Sequence, residues 1–461
     1  MTSGSHPQFE PVHPLHEDFL RDESRKTGDA DSISFPSSEE DVREIMAEAN
    51  ARHLPVTIQG GRTGITAGAV PAGGHVLNLS RMNKVTGLRF DPVTDQFLVS
   101  VQPGVVLADL RTAIEKEEFD TAGWLPGSLD ALTAVRAHLP LFFPPDPTES
   151  TATIGGMLAC NASGACTFKY GPTRKYIDGL RVVLADGSTL TLRRGRQKAR
   201  ERSFSVTCDN GRTIDGSLPS YSLPHVKNAA GYYAEDDMDL VDLFIGSEGT
   251  LGVVTEADLV LLRAPEFEWG VMAFFKSERD ALVFVRLIRG DILEMQAPVV
   301  RLRPAAVEFF DSRALNLLRE KKSRFEILAG IPDLPPEFHT GVYVEFHGDN
   351  EAELTDAVAT LSDIMVKCGG DENATWTAMN EHEMKRLHDF RHAVPETVNL
   401  VIDERRKNEP ALTKLGTDMA VPDSDLDKVI GLYHAALGAT SLQYVMFGHI
   451  GDNHVHVNVL P

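Results

Sequence analysis

The first half of the chain alternates short apolar runs with amphipathic segments. Ser37, Ser38, Glu39, Glu40 and Asp41 precede Val42, Ile45, Met46 and Ala49 at helical spacing, which predicts a helix over 37–53. A strand is expected at 55–59, running into a glycine turn at 60–64, with further strands at 76–79 and 97–101 and a turn at Asp91-Pro92. Pro103-Gly104 leads to a helix over 106–118, and a strand at 180–185 closes on the turn Asp186-Gly187. The basic run 193–204 reads as a solvated helix face or loop, and the polar stretch 208–224 as a long loop. Residues 241–255 read as an apolar strand, a glycine turn and a second apolar strand. Helix and strand signals alternate, so this half is α+β or mixed α/β.

The composition shifts near Arg263-Ala264-Pro265. Beyond it, strands are expected at 269–275, 299–302 and 341–347, and helices at 278–289, within 304–321 and at 351–368. This βαββαβ-like order predicts a second domain, an antiparallel sheet with helices on one face.

The chain has 461 residues, enough for two or three domains. Its formal net charge of −22 argues against nucleic-acid and anionic-lipid partners. The four cysteines, Cys160, Cys166, Cys208 and Cys368, form no CxxC pair, which fits a reducing compartment and a cytoplasmic location. No apolar run reaches the length of a membrane span. Ser5 to Glu10, SHPQFE, matches the core of a streptavidin-affinity tag and is set aside from the fold.

Two stretches invite an anionic ligand. The turn after the strand at 55–59 reads Gly60-Gly61-Arg62-Thr63-Gly64; it is not GxGxxG, and the following residues stay rich in Gly, Ala and Pro, so a phosphate-cradling loop is expected. Residues 144–187 concentrate small side chains at Gly155, Gly156, Ala159, Ala162, Ser163, Gly164 and Ala165, leaving backbone amides open to a flat or anionic ligand. Near the end of the sequence, His449, His454 and His456 lie beside Asp452, with His454 and His456 on one strand face. On spacing alone, a metal site and a polar strand end with surface histidines stand even.

Taken together, residues 55–64, 144–187, 245–252 (IGSEGTLG) and 448–458 (GHIGDNHVHVN) resemble the FAD-linked oxidases, flavoproteins of the vanillyl-alcohol-oxidase type, in the glycolate oxidase, D-lactate dehydrogenase and D-2-hydroxyglutarate dehydrogenase branch. The resemblance implies an α+β fold: an N-terminal extension over 1–35, a two-part FAD-binding domain over 36–264, and a substrate-covering α+β cap domain with an antiparallel sheet over 265–461. It implies FAD contacts from Gly60, Gly61, Arg62, Thr63, Gly64, Pro145, Asp146, Thr153, Gly155, Gly156, Ala159, Asn161, Gly164, Tyr170, Glu248, Gly249, Gly252 and Val253. Covalent members carry the flavin on a His of the first glycine loop; Arg62-Thr63 stands there, so non-covalent FAD is expected.

For the chemistry, the resemblance implies that His449 and His456 bind a divalent metal, zinc or manganese, and act in catalysis, while Arg391 pairs with a substrate carboxylate. Lys414 and Asn458 join the substrate site. His388 stands where the family has Trp, Lys414 lies four rather than two residues before Asp418, and His454 replaces an Asn. The family pattern continues with a Glu-His-Gly segment that carries a third ligand and a general base; the 461 residues do not contain it. The expected activity is oxidation of a small D-2-hydroxy acid (lactate, glycolate or 2-hydroxyglutarate class) to the 2-oxo acid, with electrons passing to a separate protein or a quinone. A homodimer or hetero-oligomer, in the second case peripheral to an electron-transfer complex, is compatible with this. The competing expectations are a flavin-carrying electron-transfer subunit and a sugar or alcohol oxidase on the same fold.

Overall fold

The computed structural model describes residues 9–137, 140–290, 302–334 and 336–461. It divides into two compact units: Met1–Ser163, Gly171–Leu223 and Ala229–Ala264 form the first, and Gly164–Tyr170, Pro224–Asn228 and Pro265–Pro461 the second.

The first unit opens with a small sheet. β1 (Glu10–Pro11) pairs antiparallel with β2 (Ser32–Ser34), while β2 and β3 (Val56–Gln59) flank β4 (His75–Asn78) in parallel. Parallel neighbours need a crossover, and helix Glu39–Ala51 supplies it. Ser38 caps that helix by accepting from the Asp41 amide at 3.2 Å, and the Asp41 carboxylate accepts from the Ser38 amide at 3.1 Å, a reciprocal cap worth about 1 kcal/mol. Val42, Ile45, Met46 and Ala49 are buried, as their spacing predicts, and the first three pack with Leu77, Val183 and Val253. Ser5 to Gln8 lie outside the described residues, but Phe9 packs on this cluster and Glu10 pairs with Ile33, so the end of the tag-like hexapeptide belongs to the fold.

The second sheet of this unit is antiparallel. β5 (Val85–Asp91) and β6 (Gln96–Val101) form a hairpin; β7 (Leu141–Phe142), β8 (Ile177–Val183) and β9 (Thr189–Arg193) follow along the chain. β10 (Ser203–Thr207) and β11 (Thr213–Ser217) make a separate hairpin, and β12 (Val253–Arg263) lies between β6 and β8. Two expectations are corrected here. The run 208–224 is not one loop, since it contains β11, and Val241–Phe244 is a single helical turn rather than a strand. The basic run 193–204 is mostly a solvent-facing turn segment, as expected, with ion pairs from Arg194 to Asp242 at 2.9 Å and from Arg202 to Asp236 at 2.5 Å.

The second unit is built on a seven-stranded sheet. β13 (Phe267–Phe275), β14 (Ala306–Phe310), β15 (Thr340–Gly348), β16 (Trp376–Ala378), β17 (Leu415–Gly416), β18 (Gln443–His449) and β19 (His454–Leu460) take the spatial order β16-β13-β15-β14-β18-β19-β17, with every pairing antiparallel. Alternation splits the strand side chains between two cores. Trp269, Val271, Ala273 and Phe275 pack with helices Glu278–Arg289, Glu351–Lys367 and Leu426–Gly438. Met272 and Phe274 pack with helices Ser312–Lys321 and Glu381–Arg406. Helices therefore cover both faces, not one, and β13 is buried almost throughout for that reason. The strand expected at 299–302 lies outside the described residues, apart from Leu302.

Candidate cofactor cradle and histidine site

In the first unit three glycine-bearing segments converge. β3 ends at Gln59, whose side-chain amide donates to the carbonyls of Phe19 and Ala69 at 2.7 Å each and pins the loop that follows. Thr153 caps helix Ile154–Cys160; its hydroxyl oxygen accepts from the amides of Gly156 at 3.4 Å and Gly61 at 3.2 Å. The third segment hydrogen-bonds to the same helix, Gly246 to the Leu158 carbonyl and Glu248 to that of Ala159, both at 2.9 Å. Asn161 ends the helix in the left-handed conformation (φ 48°), and its side-chain oxygen accepts from the Arg174 amide at 3.0 Å.

The glycines here separate into two kinds. A Cβ at Gly60 would lie 2.2 Å from the Thr153 hydroxyl, and one at Gly155 2.6 Å from Pro103, so these are required by internal packing. A Cβ at Gly64 would meet nothing within 4 Å, and at Gly156 only the Thr153 hydroxyl at 3.3 Å. Packing within the protein does not require glycine at those two positions; a flat anionic group lying on the bare backbone does. The side-chain-free surface at Gly64 and Gly156 therefore fits the close approach of a flavin dinucleotide.

Other expected cofactor residues have local partners. Arg62 (φ 58°) donates to the Asp18 carbonyl at 2.8 Å and lies over the Phe19 ring, with Thr63 partly buried beside it. Arg111 donates to the Pro145 carbonyl at 2.7 Å and pairs with Asp146 at 3.4 Å. Glu248 and Gly249 take positive φ, and Gly252 sits against Val182. Val253 is fully buried and its side chain belongs to the hydrophobic core. Gly164 and Tyr170 group with the second unit, where the Tyr170 hydroxyl hydrogen-bonds His347 Nδ1 at 2.8 Å.

In that second unit the β18–β19 hairpin brings three histidines together. His449 stands opposite His454, and His456 follows on the same face as His454. Ring centroids are 5.8 Å apart for His449 and His454, 5.5 Å for His449 and His456, and 4.4 Å for His454 and His456. Gly448 makes this possible: a Cβ there would come within 2.6 Å of the His456 ring.

Each ring is fixed by an acceptor. His456 Nδ1 is 3.2 Å from the Thr417 carbonyl, which can only accept, so Nδ1 carries the proton and Nε2 presents its lone pair. His449 Nδ1 lies 2.6 Å from Glu308, and His454 Nε2 2.6 Å from Asp418. Burial, together with the two neighbouring histidines, pushes His456 down to about 3, so it is neutral across the physiological range. Candidate ligand atoms of Asp418, His454 and His456 all lie within 4.8 Å of one another. Imidazole nitrogens with one carboxylate suit a late divalent ion better than calcium.

Sequence reasoning found His449 and His456 and noted His454, but missed their partners. Glu308 comes from β14, and Asp418, quoted only as part of a motif, from the segment after β17. Lys227 belongs to the short segment Pro224–Asn228, 3.9 Å from Asp452.

Arg391 lies on helix Glu381–Arg406, four residues before Pro395, which has no amide to donate to the Arg391 carbonyl. One turn earlier on the same helix, His388 is 3.2 Å from Glu345. Glu345 also accepts from the Tyr343 hydroxyl and contacts His347 at 2.7 Å. Burial would raise this carboxyl, but the two histidines outweigh it and hold it well below the ordinary range. Lys414 donates to Asn399 at 3.0 Å, and Asn458 is buried on β19 opposite Val445.

These features have counterparts in known proteins. Residues 30–134 and 122–193 match the FAD binding domain, and residues 269–461 match the C-terminal domain of the FAD linked oxidases. The chain belongs to the FAD-linked oxidase family and is an FAD-dependent oxidoreductase. It is similar to a D-lactate dehydrogenase of Anaerostipes hadrus, 27% identical over 96% of this chain and 76% of that protein. A D-2-hydroxyglutarate dehydrogenase of Stutzerimonas stutzeri is 27% identical over 93% of this chain and 74% of its own. The fold is shared with a 4-ethylphenol oxidase from Gulosibacter chungangensis (TM-score 0.61, 17% identity, 98% of this chain and 79% of that one). Among the described residues no helix is long and apolar enough to cross a membrane.

Proposed function

We propose that the protein oxidises a small D-2-hydroxy acid to the 2-oxo acid, with bound FAD accepting the two electrons. The observation that carries this reading is the histidine cluster, whose acceptor-fixed rings stand beside a carboxylate. Relatives bearing the names of 2-hydroxy-acid dehydrogenases support it. The hydrogen on C2 leaves with its electron pair, the hydroxyl proton is lost, and a carbonyl forms at C2.

His449 and His456, joined by Asp418 and His454, would hold one divalent ion, zinc or manganese, whose role there is to polarise the substrate hydroxyl. Arg391 would pair with the carboxylate through its bidentate fork, assisted by Lys414 and Asn458. Asp418 makes good the acidic ligand that the histidines alone lack. The glycine loop at 60–64 has no histidine, so FAD is held without a covalent bond, and acid precipitation leaves the yellow colour in the supernatant. Flavin remaining with the pellet would refute that attachment.

The reading as a whole is tested by mixing the flavin-loaded protein anaerobically with D-lactate, glycolate and D-2-hydroxyglutarate. At least one should bleach the visible flavin absorbance. If none does, while a simple alcohol or sugar does, the hydroxy-acid reading is wrong.

A further inference from the structure

Three buried polar atoms near the histidine site have no hydrogen-bond partner among the described residues: Lys227 Nζ, Asp452 Oδ2 and His454 Nδ1. The Lys227 side chain is only 11% exposed, and its nearest acidic oxygen, on Asp452, is 3.9 Å away, beyond hydrogen-bond reach. Burial lowers its proton affinity, while Asp452, Glu308 and Asp418 oppose that loss. Asp452 is raised by the same desolvation, countered first by Lys227. A buried ammonium with three N–H donors unmet by protein groups is costly unless water or a ligand completes it.

The unmet atoms differ in kind. Lys227 can only donate and ionised Asp452 can only accept, while the free ring nitrogen of His454 is the one left for the proposed ion, because Nε2 meets Asp418. A ligand that satisfies the set must bring an anionic acceptor and a hydroxyl donor on one small frame. A hydroxy acid has both; a simple alcohol lacks the first and a simple carboxylate the second.

We propose that Lys227 is a substrate-positioning residue, donating through Nζ to an anionic oxygen of the acid bound beside His449, His454 and His456. This rests on the hydroxy-acid reading above and adds an anchor from the segment Pro224–Asn228, separate from Arg391. The competing role for Lys227 is that of a structural counter-ion to Asp452, and the test separates the two.

The full chain, flavin-loaded, is compared with Lys227→Met, Lys227→Arg and the pair Lys227→Met/Asp452→Asn. The probes are KM and kcat for D-lactate and calorimetric binding of oxalate, which is not turned over. Lys227→Met should raise KM and the oxalate Kd by about 30-fold or more, with kcat changed much less and flavin content unchanged. Lys227→Arg should recover part of that affinity. In the double variant, thermal stability lost by uncovering Asp452 should return, but affinity should not. The double variant carries the same test if Lys227→Met fails to fold.

Affinities within twofold of wild type in Lys227→Met, or regained in the double variant, would overturn the proposal. If wild type binds oxalate in a Lys227-dependent way but oxidises no hydroxy acid, the anion site stands and the reading of the reaction fails.

Discussion

The glycine cradle of the first unit and the histidine site of the second are built on opposite plans. The cradle is built by removing side chains: its glycines at 64 and 156 are bare where internal packing does not require it. The histidine site works by adding them, drawing side chains from β14, the segment after β17, the β18–β19 hairpin and residues 224–228. A backbone site tolerates changes of side chain but not of shape. A side-chain site holds its shape yet fails when one charge is left without its partner. The two should therefore break separately under mutation.

The largest separation is expected from Gly156→Val. The branched side chain would cover the amide face above the Thr153 cap, and flavin binding should be lost altogether. Lys198→Ala, on a half-exposed side chain 4.0 Å from Asp239, should keep full flavin. Equal occupancy in the two variants, read from the absorbance ratio, would show that the cradle lies elsewhere.

Arg391→Ala probes the other region. Losing one partner of a buried charge pair costs about 2–5 kcal/mol, so kcat/KM should fall by about 30-fold to several thousand-fold with flavin retained. Arg391→Lys should rescue it poorly, because lysine lacks the planar fork. A lysine variant with wild-type kinetics would remove bidentate pairing from the account.

Glu308→Gln should act less strongly and through His449. Outer partners of ligating histidines typically contribute about 10–100-fold in metal affinity. Metal titration of the apo-protein should show a loss in that range without change in flavin content; unchanged affinity would take His449 out of the ligand set.

The smallest effect concerns Asp311, fully buried at the start of helix Ser312–Lys321, where it accepts from the Ala314 amide at 2.7 Å. Burial pushes its carboxyl up to about 6. The unfolded carboxyl ionises first, so stability present below about pH 4 is lost as pH rises towards 6. Asparagine can keep the cap without the charge, and Asp311→Asn should stabilise the protein at pH 7 by on the order of 2 kcal/mol. Denaturant titrations at pH 4 and pH 7 should show the gain only at the higher pH.

The same contrast governs what could be read from the sequence. Glycine turns and amphipathic helices are local, so the cradle segments and helices such as Glu39–Ala51 and Glu278–Arg289 were legible. Two local patterns misled. Val241–Phe244 is an apolar run too short for its period to distinguish helix from strand. The β10–β11 hairpin is mostly solvent-facing, so it lacks the apolar alternation that marks a strand. The one-face expectation for the second sheet failed because successive helices alternate between its faces: Glu278–Arg289, Glu351–Lys367 and Leu426–Gly438 pack on one, Ser312–Lys321 and Glu381–Arg406 on the other. In the histidine site, Glu308 lies 141 positions from His449, and Asp418 36 from His454. Such pairings exist only once the sheet order is set.

The central claim is that the backbone cradle holds the flavin while the side-chain site handles the substrate. Its most direct test is anaerobic mixing of wild type and His456→Ala, at equal flavin content, with a D-2-hydroxy acid that wild type oxidises. The account predicts that wild-type flavin bleaches while His456→Ala stays yellow with its FAD still bound. Bleaching of the variant at the wild-type rate, or loss of its flavin, would contradict it.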